Sequence, residues 1–131
     1  MSEQHRSLLI EWRHLDVGGA TCDRCSQTGK AAMDAIERLQ KDLNTCDVDV
    51  KFVDTALKEG DIHQSNMIIL NGVPLESLLD KASVVMTDCA SCGCIIGKET
   101  KCRAVLIDEV LHEVITADMI HIAALVALDR L

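Results

Sequence analysis

The chain has 131 residues, of which 48% are hydrophobic and 26% charged, and a formal net charge of −8. That length supports one core of useful size, so a single domain over residues 1–131 is expected, without disulfide staples. The acidic balance argues against a phosphate-backbone partner, and one Trp, one Phe and no Tyr leave almost no rings for stacking bases, so no nucleic-acid partner is expected.

No apolar run approaches the roughly 20 residues that cross a bilayer, so no membrane association is expected. The opening segment MSEQHRSLLIEWRHLD lacks a signal-peptide core, because Glu11 interrupts LLI. The expected compartment is the cytoplasm. Seven cysteines in a reducing compartment serve mainly as thiols, metal ligands or catalytic groups.

In chain order, residues 8–16 (LLIEWRHLD) read as a first strand. Ile10, Trp12 and His14 share one face, and Leu9, Glu11, Arg13 and Leu15 the other. Gly18 and Gly19 mark a loop. A helix starts near Cys22 or Asp23. Its apolar stripe is Met33, Ile36, Leu39 and Leu43, with Ala32 and Ala35 beside it and Asn44 as C-cap.

CDVDVKFVD is the clearest strand, with Cys46, Val48, Val50 and Phe52 facing one way. Cys46 reads there as a small core residue. ALKEGDIHQS returns the chain through a short helical turn. NMIILNGVPLESLL reads as a hairpin, because Asn71-Gly72 lies between two apolar runs. A cysteine-rich segment spans Cys89 to Cys102, and RAVLIDEVLHEVI reads as a second hairpin turning near Asp108-Glu109. The last helix, ADMIHIAALVAL, has Thr116 as candidate N-cap and is apolar nearly all round. Such a helix is either deeply buried or covered by a partner, a homodimer being one option.

The order strand, helix, strand, hairpin, helix predicts an α/β sandwich, a mixed sheet with flanking helices. Residues 81–115 form a cysteine-rich loop and hairpin inserted before the last helix.

Two cysteine motifs carry chemistry. Cys22 and Cys25 form a C-x-x-C at a strand–helix junction. At a helix N-terminus, unpaired N–H groups and the helix dipole favour a thiolate at Cys22. Cys25, one turn on, can attack a mixed disulfide formed there. Arg24 adds positive charge and Asp23 opposes it. Metal or metalloid binding through the same sulfurs stays open, as does a pair of thiols with no redox role.

Cys89, Cys92, Cys94 and Cys102 put four thiols within fourteen residues. They suit tetrahedral zinc, an iron–sulfur cluster or, using three of them, a soft thiophilic species. The set Cys89, Cys92 and Cys102 with Cys94 spare stands beside the full four. Cys89 and Cys92 also form a second C-x-x-C, read in a loop with no helix clearly behind it. His14, near Cys22, reads as a strand-end histidine or a group tuning that thiol, and Trp12 as core packing.

TCDRC, its helix, CDVDVKFVD and NMIILNGVPLESLL together resemble the thioredoxin-like superfamily over about residues 8–80, plus the last helix. The nearest likeness is to small prokaryotic thioredoxin-like proteins of unassigned function. The resemblance implies a thioredoxin-like sandwich, a nucleophilic Cys22, a resolving Cys25 and a protein or small-molecule disulfide or thiol partner. The family places a cis-proline before the hairpin strand. Here that position is Asn66, which could offer hydrogen bonds to a substrate, and the one proline, Pro74, lies beyond the turn. This departure sets two expectations side by side: a thiol–disulfide oxidoreductase at Cys22 and Cys25, or a non-enzymatic thiolate binder of zinc or a soft metal or metalloid at the Cys89–Cys102 cluster, with or without Cys22 or Cys25.

Overall fold

A computed structural model describes residues 6–43 and 48–130, residues 43 and 90–92 by backbone alone. His5, Asn44 and Cys46 lie outside the described residues, as do the side chains of Leu43 and Cys92.

The architecture is mixed α/β. Strand β1 (Arg6–Leu15) leads through a loop to helix α1 (Asp23–Leu43), which returns to strand β2 (Val48–Leu57). β1 and β2 pair in parallel over ten residues, Arg6 opposite Val48 through Leu15 opposite Leu57. A 3₁₀ turn (Glu59–Gln64) leads to strands β3 (Met67–Leu70) and β4 (Val73–Pro74). β3 runs antiparallel to β1, so the first sheet has the order β2-β1-β3-β4. Asn71 and Gly72 both take positive φ, 51° and 81°, the signature of a tight hairpin turn. The apolar run past Pro74 does not continue as strand: it forms helix α2 (Leu75–Leu78).

The second sheet is built by strands β5 (Ala82–Asp88), β6 (Lys101–Ile107) and β7 (Val110–His112), in that order and antiparallel. Helix α3 (Ala90–Ile96) lies between β5 and β6, and helix α4 (Ala117–Asp129) follows the sheet. The β6–β7 turn falls at Asp108 and Glu109, both with positive φ. Thr116 caps α4, accepting a hydrogen bond from the Met119 N–H.

The core explains the pairing of these layers. Leu8 and Ile10 of β1, Ile68 and Leu70 of β3, Leu75 and Leu78 of α2, and Ile120, Ala123, Ala124 and Leu128 of α4 form one buried cluster with α1. The buried face of α1 runs Cys25, Thr28, Ala32, Ala35, Ile36 and Leu39, a three- and four-residue rhythm. Met33, assigned to that stripe from sequence, is 52% exposed and borders an open cavity with Val50 and Phe52. Trp12 accounts for Gly29 of α1: a Cβ there would lie 2.6 Å from the Trp12 ring. On α4, Ile122 and Leu125 remain exposed. Among the described residues no helix is long and apolar enough to cross a membrane.

Candidate metal or metalloid centre

A smaller buried cluster gathers where the two sheets meet: Leu15, Cys22, Cys25, Cys89 and Cys102. Each cysteine arrives on a different piece of local structure. Cys22 ends the β1–α1 loop, and its carbonyl accepts the first α1 hydrogen bond, from the Ser26 N–H at 2.8 Å. Its sulfur also accepts the Cys25 N–H at 3.4 Å. Cys22 is thus the N-cap of α1, with sulfur in the place of the usual oxygen.

Cys89 caps α3, with its carbonyl accepting the Gly93 N–H. A second tie, from the Cys89 N–H to the Thr100 carbonyl at 2.9 Å, holds it to the start of β6. α3 was not expected from sequence, and it stands directly behind the second C-x-x-C. Gly97, with φ of 88°, ends it in the left-handed conformation that glycine accepts most readily. Cys102 sits within β6, paired with Thr87 of β5.

The sulfurs of Cys22, Cys89 and Cys102 lie within 4.8 Å of one another. Cys22 and Cys102 are fully buried and Cys89 is 5% exposed. One ion with metal–sulfur bonds of about 2.3 Å holds its sulfurs about 3.8 Å apart. The three are therefore within a side-chain adjustment of a common ligand. Among the described residues, no further His, Cys, Asp or Glu joins the group. Of the cysteines read from sequence as metal ligands, Cys89 and Cys102 take part. Cys94 is exposed, and the Cys92 side chain lies outside the described residues. Cys22, read as a nucleophile, is the third member. Cys25 is buried beside it. Contact with the Cys22 sulfur, and then burial, push its thiol far above the ordinary range.

The residue that assembles this group is Arg24, which sequence noted only as a charge. Its guanidinium is 93% buried by side chain and donates to the carbonyls of Asp88, Cys102 and Arg103, to Thr87 Oγ1 at 2.7 Å and to Glu113 at 2.6 Å. One side chain between Cys22 and Cys25 thereby ties the start of α1 to the end of β5, just before Cys89, and to β6, which carries Cys102. Asn66 forms a second knot. Its amide donates to the Arg103 and Glu113 carbonyls at 2.7 and 2.8 Å, and its Oδ1 accepts from Thr28 Oγ1. With all of these internal partners, Asn66 is a strut, not the substrate contact read from its position.

His14 is buried and stacks on Trp12 with ring centroids 3.9 Å apart. It bonds Asp54 through Nε2 and meets Thr21 Oγ1 through Nδ1, so it steadies the residue before Cys22. The signal available for these roles was the unusual placement of Arg24 inside the C-x-x-C and of polar Thr28 on an apolar face. Neither names its partner, because every partner is distant in sequence.

An uncharacterised protein of Archaeoglobus fulgidus is 37% identical over 117 residues, which cover 86% of this chain and 82% of the relative. No solved structure matches the chain. The family described as "Domain of unknown function (DUF2703)" matches residues 8–124, and the chain belongs to that family.

Proposed function

We propose that this protein is a thiolate binder of a soft metal or metalloid, built on a thioredoxin-like scaffold, with Cys22, Cys89 and Cys102 as ligands. The observation that carries the reading is the convergence of these buried sulfurs within 4.8 Å from three separate elements. Soft thiolate sets select thiophilic species over hard cations. The scaffold reading draws on the strand–helix–strand opening, with β1 and β2 parallel, and on the mixed sheet of order β2-β1-β3-β4.

Burial weighs against the simplest enzyme. A nucleophile that attacks a protein disulfide needs its sulfur accessible, and Cys22 has no exposed surface. A second reading keeps some support, since Cys25 stands one turn from Cys22 and bonds its sulfur. In it Cys22 attacks and Cys25 resolves, after the second sheet moves aside.

The test uses reduced, full-length protein titrated with cadmium chloride. Binding of one ion per chain with a sulfur-to-metal absorption band is expected. Cys22→Ser, Cys89→Ser and Cys102→Ser should each weaken it roughly a hundred-fold or more. Disulfide reduction that depends on Cys22 and Cys25, with no cadmium bound, would reverse the preference between the two readings.

A further inference from the structure

We infer that the ligand is a neutral trivalent metalloid hydroxide, of the arsenous or antimonous acid type, captured by all three sulfurs. This rests on the thiolate-site reading above and narrows it to one chemical class.

Ligand number comes first. Among the described residues three sulfurs lie within 4.8 Å of one another with no oxygen or nitrogen ligand, and the fourth buried sulfur, Cys25, touches Cys22 but does not lie within that distance of all three. Zinc in a closed structural site takes four ligands. A trivalent metalloid is satisfied by three and keeps a lone pair on its open side.

Charge decides more strongly. Three thiolates around a monovalent or divalent cation leave a net negative complex, whereas around a trivalent centre they leave none. Burying an uncompensated charge is costly. The cation at this junction, Arg24, is already engaged by Glu113 at 2.6 Å. The cavities that reach Cys89 add no free positive charge. One, of about 340 Å³, is lined by Asp23, Arg24, Gln27, Asp88 and Glu113, and the other, of about 220 Å³, by Asp88, Gly93, Glu99 and Thr100. Lys98 and Lys101, exposed sequence neighbours of Glu99 and Thr100, are not among the lining residues. Carboxylates around the one ligand with any exposure favour a neutral product over an anionic one.

The capture step balances without a co-reactant. Three metalloid–oxygen bonds break and three metalloid–sulfur bonds form. Each thiol proton leaves with a hydroxyl as water, giving three waters. The metalloid stays trivalent, nothing is oxidised or reduced, and no net proton is released. A neutral molecule enters and a neutral centre remains.

The experiment compares sodium arsenite with cadmium chloride on reduced, full-length protein. Native mass spectrometry should show an adduct of one arsenic less three hydrogens. Arsenic X-ray absorption on the wild-type protein should show three sulfur neighbours and no oxygen, a readout that needs no variant to fold. Cys22→Ser, Cys89→Ser and Cys102→Ser, checked for folding by circular dichroism, should each weaken arsenite binding roughly a hundred-fold. Cys92→Ser and Cys94→Ser should leave it unchanged. Cadmium bound through the three cysteines with arsenite ignored would overturn the ligand class while the thiolate reading stands. An adduct that retains oxygen, or one lost with Cys92→Ser, would overturn the three-sulfur assignment. Binding of neither probe would overturn both.

Discussion

Arg24 Nη1 donates to the carbonyl oxygen of Cys102 at 3.2 Å, across 78 positions of sequence. The residue between the two cysteines of one motif is thereby fastened to a cysteine of the other. This link, with the neighbouring bonds to Asp88, Arg103, Thr87 and Glu113, makes the cysteine group a property of the folded junction rather than of either motif.

Arg24→Ala should therefore act on folding and on the cysteine group together. It removes a buried fork that satisfies three carbonyls, and each buried acceptor left unpaired costs about 1–3 kcal/mol. Partial compensation by water should leave a net loss of about 3 kcal/mol in urea unfolding. Arg24→Lys should recover less than half of it, because an ammonium cannot span the same carbonyls as a planar fork. Wild-type stability in Arg24→Ala would remove the argument that this side chain assembles the junction.

The parts of the structure legible in sequence are those governed by local pattern. Asn71-Gly72 marked the first hairpin, Asp108-Glu109 the second, and Thr116 the start of α4, because turn and cap chemistry is set by a few neighbouring residues. Strand β5 carries no periodic signal. Ser83, Val84, Val85 and Met86 are all exposed on the sheet edge, so no face is selected and no alternation appears. Helix α3 was hidden by Gly93 and its cysteines, which have weak helix propensity. Spacing left open whether Cys22 joins Cys89 and Cys102, since Arg24 and Asn66 hold them together through long-range bonds.

Asn66→Pro tests the departure from the proline expected at that position. Asn66 has a φ of 57°, and proline is locked near −65°. The substitution also removes the side-chain bonds to Arg103, Glu113 and Thr28. A loss of about 4 kcal/mol or more is expected, read as unfolded or aggregated protein at ambient temperature. Asn66→Ala should cost less, about 2–3 kcal/mol, since it keeps the backbone unlocked. A stable, well-folded proline variant would show that the strut can be replaced by the proline that the sequence resemblance implies at that position.

Gly29→Ala sets two effects against each other. Alanine gains about 1 kcal/mol of helix propensity over glycine. Its Cβ would meet three Trp12 ring atoms at 2.6–2.9 Å, and that ring is held by stacking on His14 and Phe52. Overpacking costs about 1–3 kcal/mol, so a net loss of about 1 kcal/mol is expected in thermal or urea unfolding, with a change in Trp12 fluorescence. A stabilised variant with unchanged fluorescence would mean that the ring moves freely.

The thiols should differ sharply in reactivity. Iodoacetamide on native, reduced protein should label exposed Cys94 rapidly and Cys25 no faster than the protein opens. The Cys25 thiol is raised by its contact with Cys22 and by burial. An acid whose folded pKa is raised keeps its stability contribution below the unfolded value, about 8.5 for a cysteine, and loses it as pH climbs above that value. Urea midpoints should fall between about pH 8 and pH 10, and the fall should be smaller in Cys25→Ser. Equal slopes in the two proteins would mean that Cys25 ionises as readily folded as unfolded, and the packed junction around it would then have to be more open than its burial indicates.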